Sequence, residues 1–204
     1  MSKLILFQGD SVTEWRRDVN DPNDLGAGYP PAVAEYYAKN KELRFCNRGV
    51  SGDRICHIRA RWAKDCIDLK PDILCLFAGV NDVLVQLYEG FMTPHGDFLR
   101  DYRFVMDEVK AKLPKTKIII AQPFMLKTDD RIAGIADYLE PIKGYVKRFA
   151  VEYADAYIAI ADKFDSVVSA GFGAKSLAED GVHPTAFGYY IITNLFIEAI
   201  DKIL

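Results

Sequence analysis

Histidine and cysteine are scarce in this sequence, three and four among 204 residues. The cysteines, Cys46, Cys56, Cys66 and Cys75, form no CxxC pair and are not interleaved with histidine at zinc-ligand spacing, so no metal site is expected. Long apolar runs are missing too. Ile73–Ala78 and Ile118–Ala121 fall far short of the ~20 residues that span a bilayer, so no membrane partner is expected. There is no basic excess. Lys and Arg number 26 against 29 Asp and Glu, a net charge of −3, which disfavours a nucleic-acid partner. No GxGxxG and no phosphate loop is present, so no nucleotide cofactor, and indeed no cofactor, is expected. The apolar start, Leu4–Phe7 after Lys3, is too short for a signal peptide and runs into Gly9-Asp10-Ser11 without a cleavage site. The expectation is therefore a cytoplasmic protein with free thiols, in which Cys46 and Cys75 act as small strand hydrophobes.

What is present is an ordinary globular composition, 50% hydrophobic and 27% charged. At this length one domain spanning 1–204 is expected, burying about 70% of the surface of the unfolded chain. Short apolar runs alternate with helical patterns. Strands are expected at Leu4–Gln8, Leu43–Asn47, Asp72–Phe77, Lys117–Ala121 and Ala156–Ala161. Helices are expected at Tyr29–Asn40, Ser51–Leu69, Pro94–Leu113, Arg131–Ala154 (with Pro141 tolerated or splitting it), Asp165–Ala170 and Pro184–Leu204. Near-continuous apolar strands imply that both sheet faces are covered. The fold class is therefore α/β, a three-layer α/β/α sandwich on a five-stranded parallel sheet with right-handed crossovers.

In such folds ligands bind beyond the carboxyl ends of the strands. Four polar, glycine-bearing clusters fall there: Gly9-Asp10-Ser11-Val12-Thr13, Asn47-Arg48-Gly49-Val50-Ser51-Gly52, Gly79-Val80-Asn81-Asp82 and Asp180-Gly181-Val182-His183-Pro184. Together they hold the parts of an acyl-transfer site. A hydroxyl nucleophile needs a base, the base needs an orienting carboxylate, and a tetrahedral oxyanion needs hydrogen-bond donors. Ser11 can be the nucleophile and His183 its base. Asp180, three residues earlier, can turn its carboxylate back onto the ring. The backbone N–H of Gly52 and the side-chain amide of Asn81 can face an oxyanion.

These four blocks resemble those of the SGNH/GDSL hydrolases, and the likeness spans nearly the whole chain. It implies a flavodoxin-like sandwich and metal-free ester hydrolysis, with the Ser11 N–H joining Gly52 and Asn81 in the oxyanion hole. Ala60-Arg61-Trp62, Lys70-Pro71-Asp72, Gly79-Val80-Asn81-Asp82-Val83 and Gln122-Pro123-Phe124 further resemble the intracellular carbohydrate acetyl esterases of that superfamily, including acetyl xylan esterases. The implied substrate is a small-molecule ester with a short acyl group, such as acetyl on a small carbohydrate. A lysophospholipase or thioesterase with a longer acyl preference, and a non-catalytic carbohydrate-binding protein on the same fold, stay open as alternatives, as does homo-oligomer formation.

Trp15, Tyr29 and Phe124 are candidates for substrate contact, each with core packing as the competing reading. Asp10 is expected to hold the nucleophile turn rather than to react. His57 and His95 are expected on the solvated surface. Gly49-Val50-Ser51-Gly52 does not match the Gly-x-Ser-x-Gly elbow of the α/β hydrolases.

Overall fold

The computed structural model describes residues 2–204. Five strands form one sheet: β1 (Lys3–Gly9), β2 (Leu43–Asn47), β3 (Ile73–Phe77), β4 (Lys117–Ala121) and β5 (Ala156–Ile158). Their order is β2-β1-β3-β4-β5 and every pairing is parallel. This is the doubly wound arrangement expected from the apolar runs, and its strand order is flavodoxin-like.

The two-residue period of a strand sorts the core into two layers. Leu4, Leu6, Leu74, Leu76, Ile118 and Ile120 face one side. There they meet α3 (Ile55–Ala60), α6 (His95–Lys112) and α8 (Leu139–Tyr153). Ile5, Phe7, Cys75, Phe77, Ile119 and Ala121 face the other side. They pack on α2 (Tyr29–Tyr36), α9 (Ile160–Ser169) and α11 (Ala186–Asp201). Cys46 and Cys75 are buried on their strands, as expected of small hydrophobes. Phe98, Tyr102, Val105 and Val109, spaced along one face of α6, are fully buried, as their helical period requires.

Several element boundaries differ from those expected, each for a local reason. The helix expected from Ser51 starts at Ile55, because Gly52 sits at φ +79° inside a turn. Its α-ladder ends at Ala60 and a π-helical turn follows at Ala63–Ile67, although Trp62 and Cys66 stay buried. The segment 131–154 divides into α7 (Asp130–Ala136) and α8. Pro141 does not break it; it lies in the first turn of α8, where its missing N–H is not needed. β5 stops at Ile158 because it pairs only with Ile119–Ala121 at the sheet edge, and Ile160 and Ala161 open α9 instead. The last helix begins after Pro184, not at it. Thr185 is the N-cap and accepts from Gly188 N–H, while Pro184 bridges to Ala178. α2 ends at Tyr36, whose ring is exposed, and Tyr37 is the tyrosine that packs inward. Four short helices carried no signal strong enough to be expected: α1 (Ser11–Glu14), α4 (Asn81–Leu84), α5 (Gln86–Glu89) and α10 (Ala174–Leu177).

β1 lies where the chain reverses its direction of winding, flanked by β2 on one side and β3 on the other. The crevice beyond its carboxyl end is the topological switch point, and Ser11 follows it directly.

Candidate active site

Close backbone approach dictates the turn that carries Ser11. A Cβ on Gly9 would stand 2.3 Å from the Phe77 carbonyl oxygen and 2.4 Å from Thr13 Oγ1, so only glycine lets β1 end there. Asp10 then caps α1, its Oδ1 accepting from Val12 N–H at 3.1 Å. Ser11 becomes the first helical residue.

The second half of the arrangement comes from residues 178–184. Gly181 adopts φ +85° and its carbonyl accepts from Leu126 N–H at 2.8 Å, which pins this loop to the segment after β4. Asp180 Oδ1 accepts from Val182 N–H at 3.0 Å and from His183 N–H at 2.7 Å. Asp180 Oδ2 lies 2.6 Å from His183 Nδ1, and His183 Nε2 lies 2.9 Å from Ser11 Oγ. Serine, imidazole and carboxylate thus form one continuous hydrogen-bonded line, from residues 172 positions apart in the chain. Burial raises the Asp180 carboxyl, but the hydrogen bonds from the His183 ring and from the two backbone N–H groups outweigh it. The net effect holds Asp180 below the usual carboxylate range, as an acceptor for Nδ1–H.

Gly52 and Asn81 line one small depression of about 210 Å³, together with Leu84, Val85 and Tyr88. Gly52 takes its positive φ with open space around it, so the turn conformation, not crowding, demands glycine there. Its N–H donates to no other described residue. Asn81 Nδ2 donates to the Asp53 carbonyl at 3.1 Å, which orients the amide and leaves a second N–H free. Gly52 and Asn81 thus share one hollow, each with an N–H that no described residue accepts. The loop bearing Gly52 is held from below by Asn47, which donates to the Thr13 and Leu25 carbonyls at 2.7 and 2.9 Å, and by buried Arg17, which donates to the Gly49 carbonyl at 2.8 Å.

Two buried carboxyls sit under the site. Burial drives Asp82 up to about 6 and Asp10 up to about 7. Asp82 Oδ2 accepts from Ile55 N–H at 3.1 Å and so caps α3 from another element. Asp10 binds its proton more tightly in the folded chain than in the unfolded one. Its stabilising contribution is therefore complete below about pH 4 and is lost as pH rises toward 7. Asp10→Asn keeps an acceptor for Val12 N–H and removes the buried charge. It is expected to raise stability at pH 8 by on the order of a few kcal/mol and to change little at pH 4. Thermal melts of both proteins across that range check this; equal shifts at both pH values would contradict it.

The residues singled out for substrate contact part company. Trp15 is half-buried with its ring 5.7 Å from the His183 ring and 6.0 Å from that of Tyr189. It lines a cleft of about 640 Å³ with Arg16, Glu179, Asp180, His183 and Tyr189. Tyr29 is fully buried, stacked on Phe196 at 4.4 Å with its hydroxyl 3.0 Å from Thr13 Oγ1, so its place is in the core. Phe124 is also buried, edge-on to Phe164 at 4.7 Å, and the cavity it borders holds none of Ser11, Asp180 and His183. His95 is exposed beside the Tyr145 hydroxyl at 3.1 Å. His57 is exposed too, but it borders the depression of Gly52 and Asn81. Sequence reasoning missed Arg16, Glu179 and Tyr189 as cleft residues. A signal was available for Tyr189, six residues past His183 and on the first turns of α11.

A profile of the GDSL-like lipase/acylhydrolase family matches residues 7–191. The chain belongs to that family and is a GDSL-type carboxylic ester hydrolase. Among individual proteins it is similar to an acetylxylan esterase of Geobacillus stearothermophilus, 29% identical over 96% of this chain and 93% of the relative. Among solved structures it is similar to a Parabacteroides merdae protein provisionally assigned as a GDSL-like lipase (TM-score 0.88, 29% identity, 99% and 98% of the two chains). It is also similar to the W215I form of Axe2, an acetyl xylan esterase from Geobacillus stearothermophilus (TM-score 0.87, 26% identity, 99% and 96% of the two chains). No helix among the described residues is long and apolar enough to cross a membrane.

Proposed function

We propose that this chain is a single-domain serine esterase that removes short acyl groups, acetyl foremost, from small carbohydrates. The observation that carries the reading is the line from Ser11 Oγ through His183 to Asp180, at 2.9 and 2.6 Å. His183 Nε2 takes the Ser11 proton as Oγ attacks the ester carbonyl. Asp180 holds the ring in the tautomer that makes this possible and stabilises the imidazolium. The oxyanion receives the N–H groups of Ser11 and Gly52 and the free amide N–H of Asn81. His183 then gives its proton to the departing alkoxide, and water, deprotonated by the same ring, clears the acyl-enzyme. The relative supports the assignment. Three forms of Axe2 described as catalytic mutants replace a serine, a histidine and an aspartate by alanine.

The two hollows divide the substrate. The proton donor to the leaving alcohol is His183, so the alcohol occupies the larger cleft beside it. There Trp15 offers an aromatic face, and Arg16 and Glu179 offer polar partners for hydroxyl groups. The acyl group falls toward the smaller hollow, walled by Leu84 and Val85. A series of p-nitrophenyl esters from acetyl to palmitoyl tests this division. kcat/KM is expected to be highest for acetyl and to fall steadily once the chain outgrows the hollow. Activity rising with chain length would overturn the short-acyl reading in favour of a lysophospholipase or thioesterase.

A further inference from the structure

Arg61 touches neither Ser11, His183 nor Asp180, yet it makes more directed contacts at the floor of the site than any of them. Its Nε donates to Asp53 Oδ2 at 2.7 Å. Nη1 donates to the Arg48 carbonyl at 2.7 Å and to Asp65 Oδ2 at 2.9 Å. Nη2 donates to Gln8 Oε1 at 2.8 Å and, more weakly, to the Gly9 carbonyl at 3.4 Å. Only the planar, five-donor guanidinium can serve so many directions at once.

The acceptors are not scattered. Gln8 and Gly9 are the last residues of β1, immediately before Asp10-Ser11, and Gln8 Oε1 also accepts from Gly9 N–H at 3.1 Å. Arg48 and Asp53 bracket the loop that presents Gly52. The Asp53 carbonyl is the group that fixes the Asn81 amide. One side chain therefore joins the nucleophile turn to both ends of the oxyanion loop and, through Asp53, to Asn81. It does so from the junction where the α-ladder gives way to a π-turn, a distortion often found at functional sites.

We propose that Arg61 is a positioning residue for the oxyanion site: it sets the spacing between the Ser11 N–H, the Gly52 N–H and the Asn81 amide. The assignment rests on the serine-esterase reading above. An oxyanion donor is useful only where the tetrahedral oxygen will stand, so slack between these elements weakens transition-state binding more than substrate binding.

The test compares wild type, Arg61→Gln, Arg61→Lys and Asp53→Asn on p-nitrophenyl acetate, at a temperature well below every melting point. kcat is expected to fall about 10- to 100-fold in Arg61→Gln with KM within about threefold. Affinity for phenylboronic acid, which forms a tetrahedral adduct on the serine, is expected to fall by the same factor as kcat/KM. Arg61→Lys, a point charge without the fork, should recover only part of the loss. Val146→Ala, a cavity variant of a fully buried α8 residue that lines neither hollow of the site, supplies a protein of lowered melting temperature with wild-type kcat. If Arg61→Gln keeps kcat and boronate affinity within threefold of wild type, the proposal is overturned. Loss of both kcat and KM without loss of boronate affinity overturns it as well. Should Arg61→Gln fail to fold, Asp53→Asn, which retains the carbonyl for Asn81, is judged by the same measures. Wild type and Ser11→Ala of equal activity would instead sink the underlying esterase reading.

Discussion

Ser11→Ala is expected to lower kcat for p-nitrophenyl acetate by about 10⁴- to 10⁶-fold while KM stays within a few-fold. The physical reason is that no other group in the crevice can take over the attack. Thr13 is fully buried with its hydroxyl committed to Tyr29, and Ser51 sits on an exposed turn. Residual turnover should reflect only the oxyanion donors and binding, which the alanine leaves in place. Because serine and imidazole act as one unit, adding His183→Ala to Ser11→Ala should cost little more than either change alone. Alanine at position 11 should also abolish labelling by a fluorophosphonate probe. Equal rates in wild type and variant would remove the mechanism; additive losses in the double variant would show that the two residues work separately.

Asp180→Asn is expected to cost about 10⁴-fold in kcat, close to the loss of a triad residue, although it changes one atom pair and leaves the fold intact. The surrounding hydrogen bonds decide which way the new amide points. Oδ1 accepts from two backbone N–H groups at 3.0 and 2.7 Å, and an amide nitrogen there would face two donors. The asparagine oxygen must therefore stay at that position, which turns its NH₂ toward His183 Nδ1. A donor facing Nδ1 selects the tautomer with the proton on Nε2. Nε2 then donates to Ser11 Oγ instead of accepting from it, and the base is disabled. Asp180→Ala should be as inactive but less stable, since it orphans the Val182 and His183 N–H groups as well. Steady-state kinetics with a thermal melt separates the two variants. An asparagine variant within tenfold of wild type would mean that the carboxylate does not set the tautomer.

The parts of the site were legible in the sequence because each depends on short-range chemistry. A glycine that permits close approach, a carboxylate three residues from a histidine, and an aspartate two residues before the N–H it caps all act within one turn of chain. Ser11, Asp180 and His183 were singled out in that way, and Gly52 and Asn81 as possible donors in the glycine-bearing blocks after the strands; the sheet was legible from apolar runs that are buried on both faces. The aromatics were not so readable. Tyr29 opens α2 and Trp15 closes α1 just after the nucleophile, both within 18 residues of Ser11. One lies against Phe196 in the core and the other beside His183, a difference settled by where α11 packs.

By itself, then, the sequence determined the class of fold and the strand identities, and it singled out the five residues on which the proposed acyl transfer rests. Side-chain period and turn chemistry are properties of neighbouring residues, and they survive without coordinates. Only the tertiary structure decided what depends on which elements become neighbours. It showed that α3 is capped by Asp82 from after β3, that β5 is cut short by having one partner, and that Trp15 rather than Tyr29 or Phe124 borders the cleft. It also gave Arg61 its role. An arginine on a helix carries no mark of the five acceptors around it, because Gln8, Gly9, Arg48 and Asp53 come within its reach only when β1 and β2 pair and α3 crosses over them.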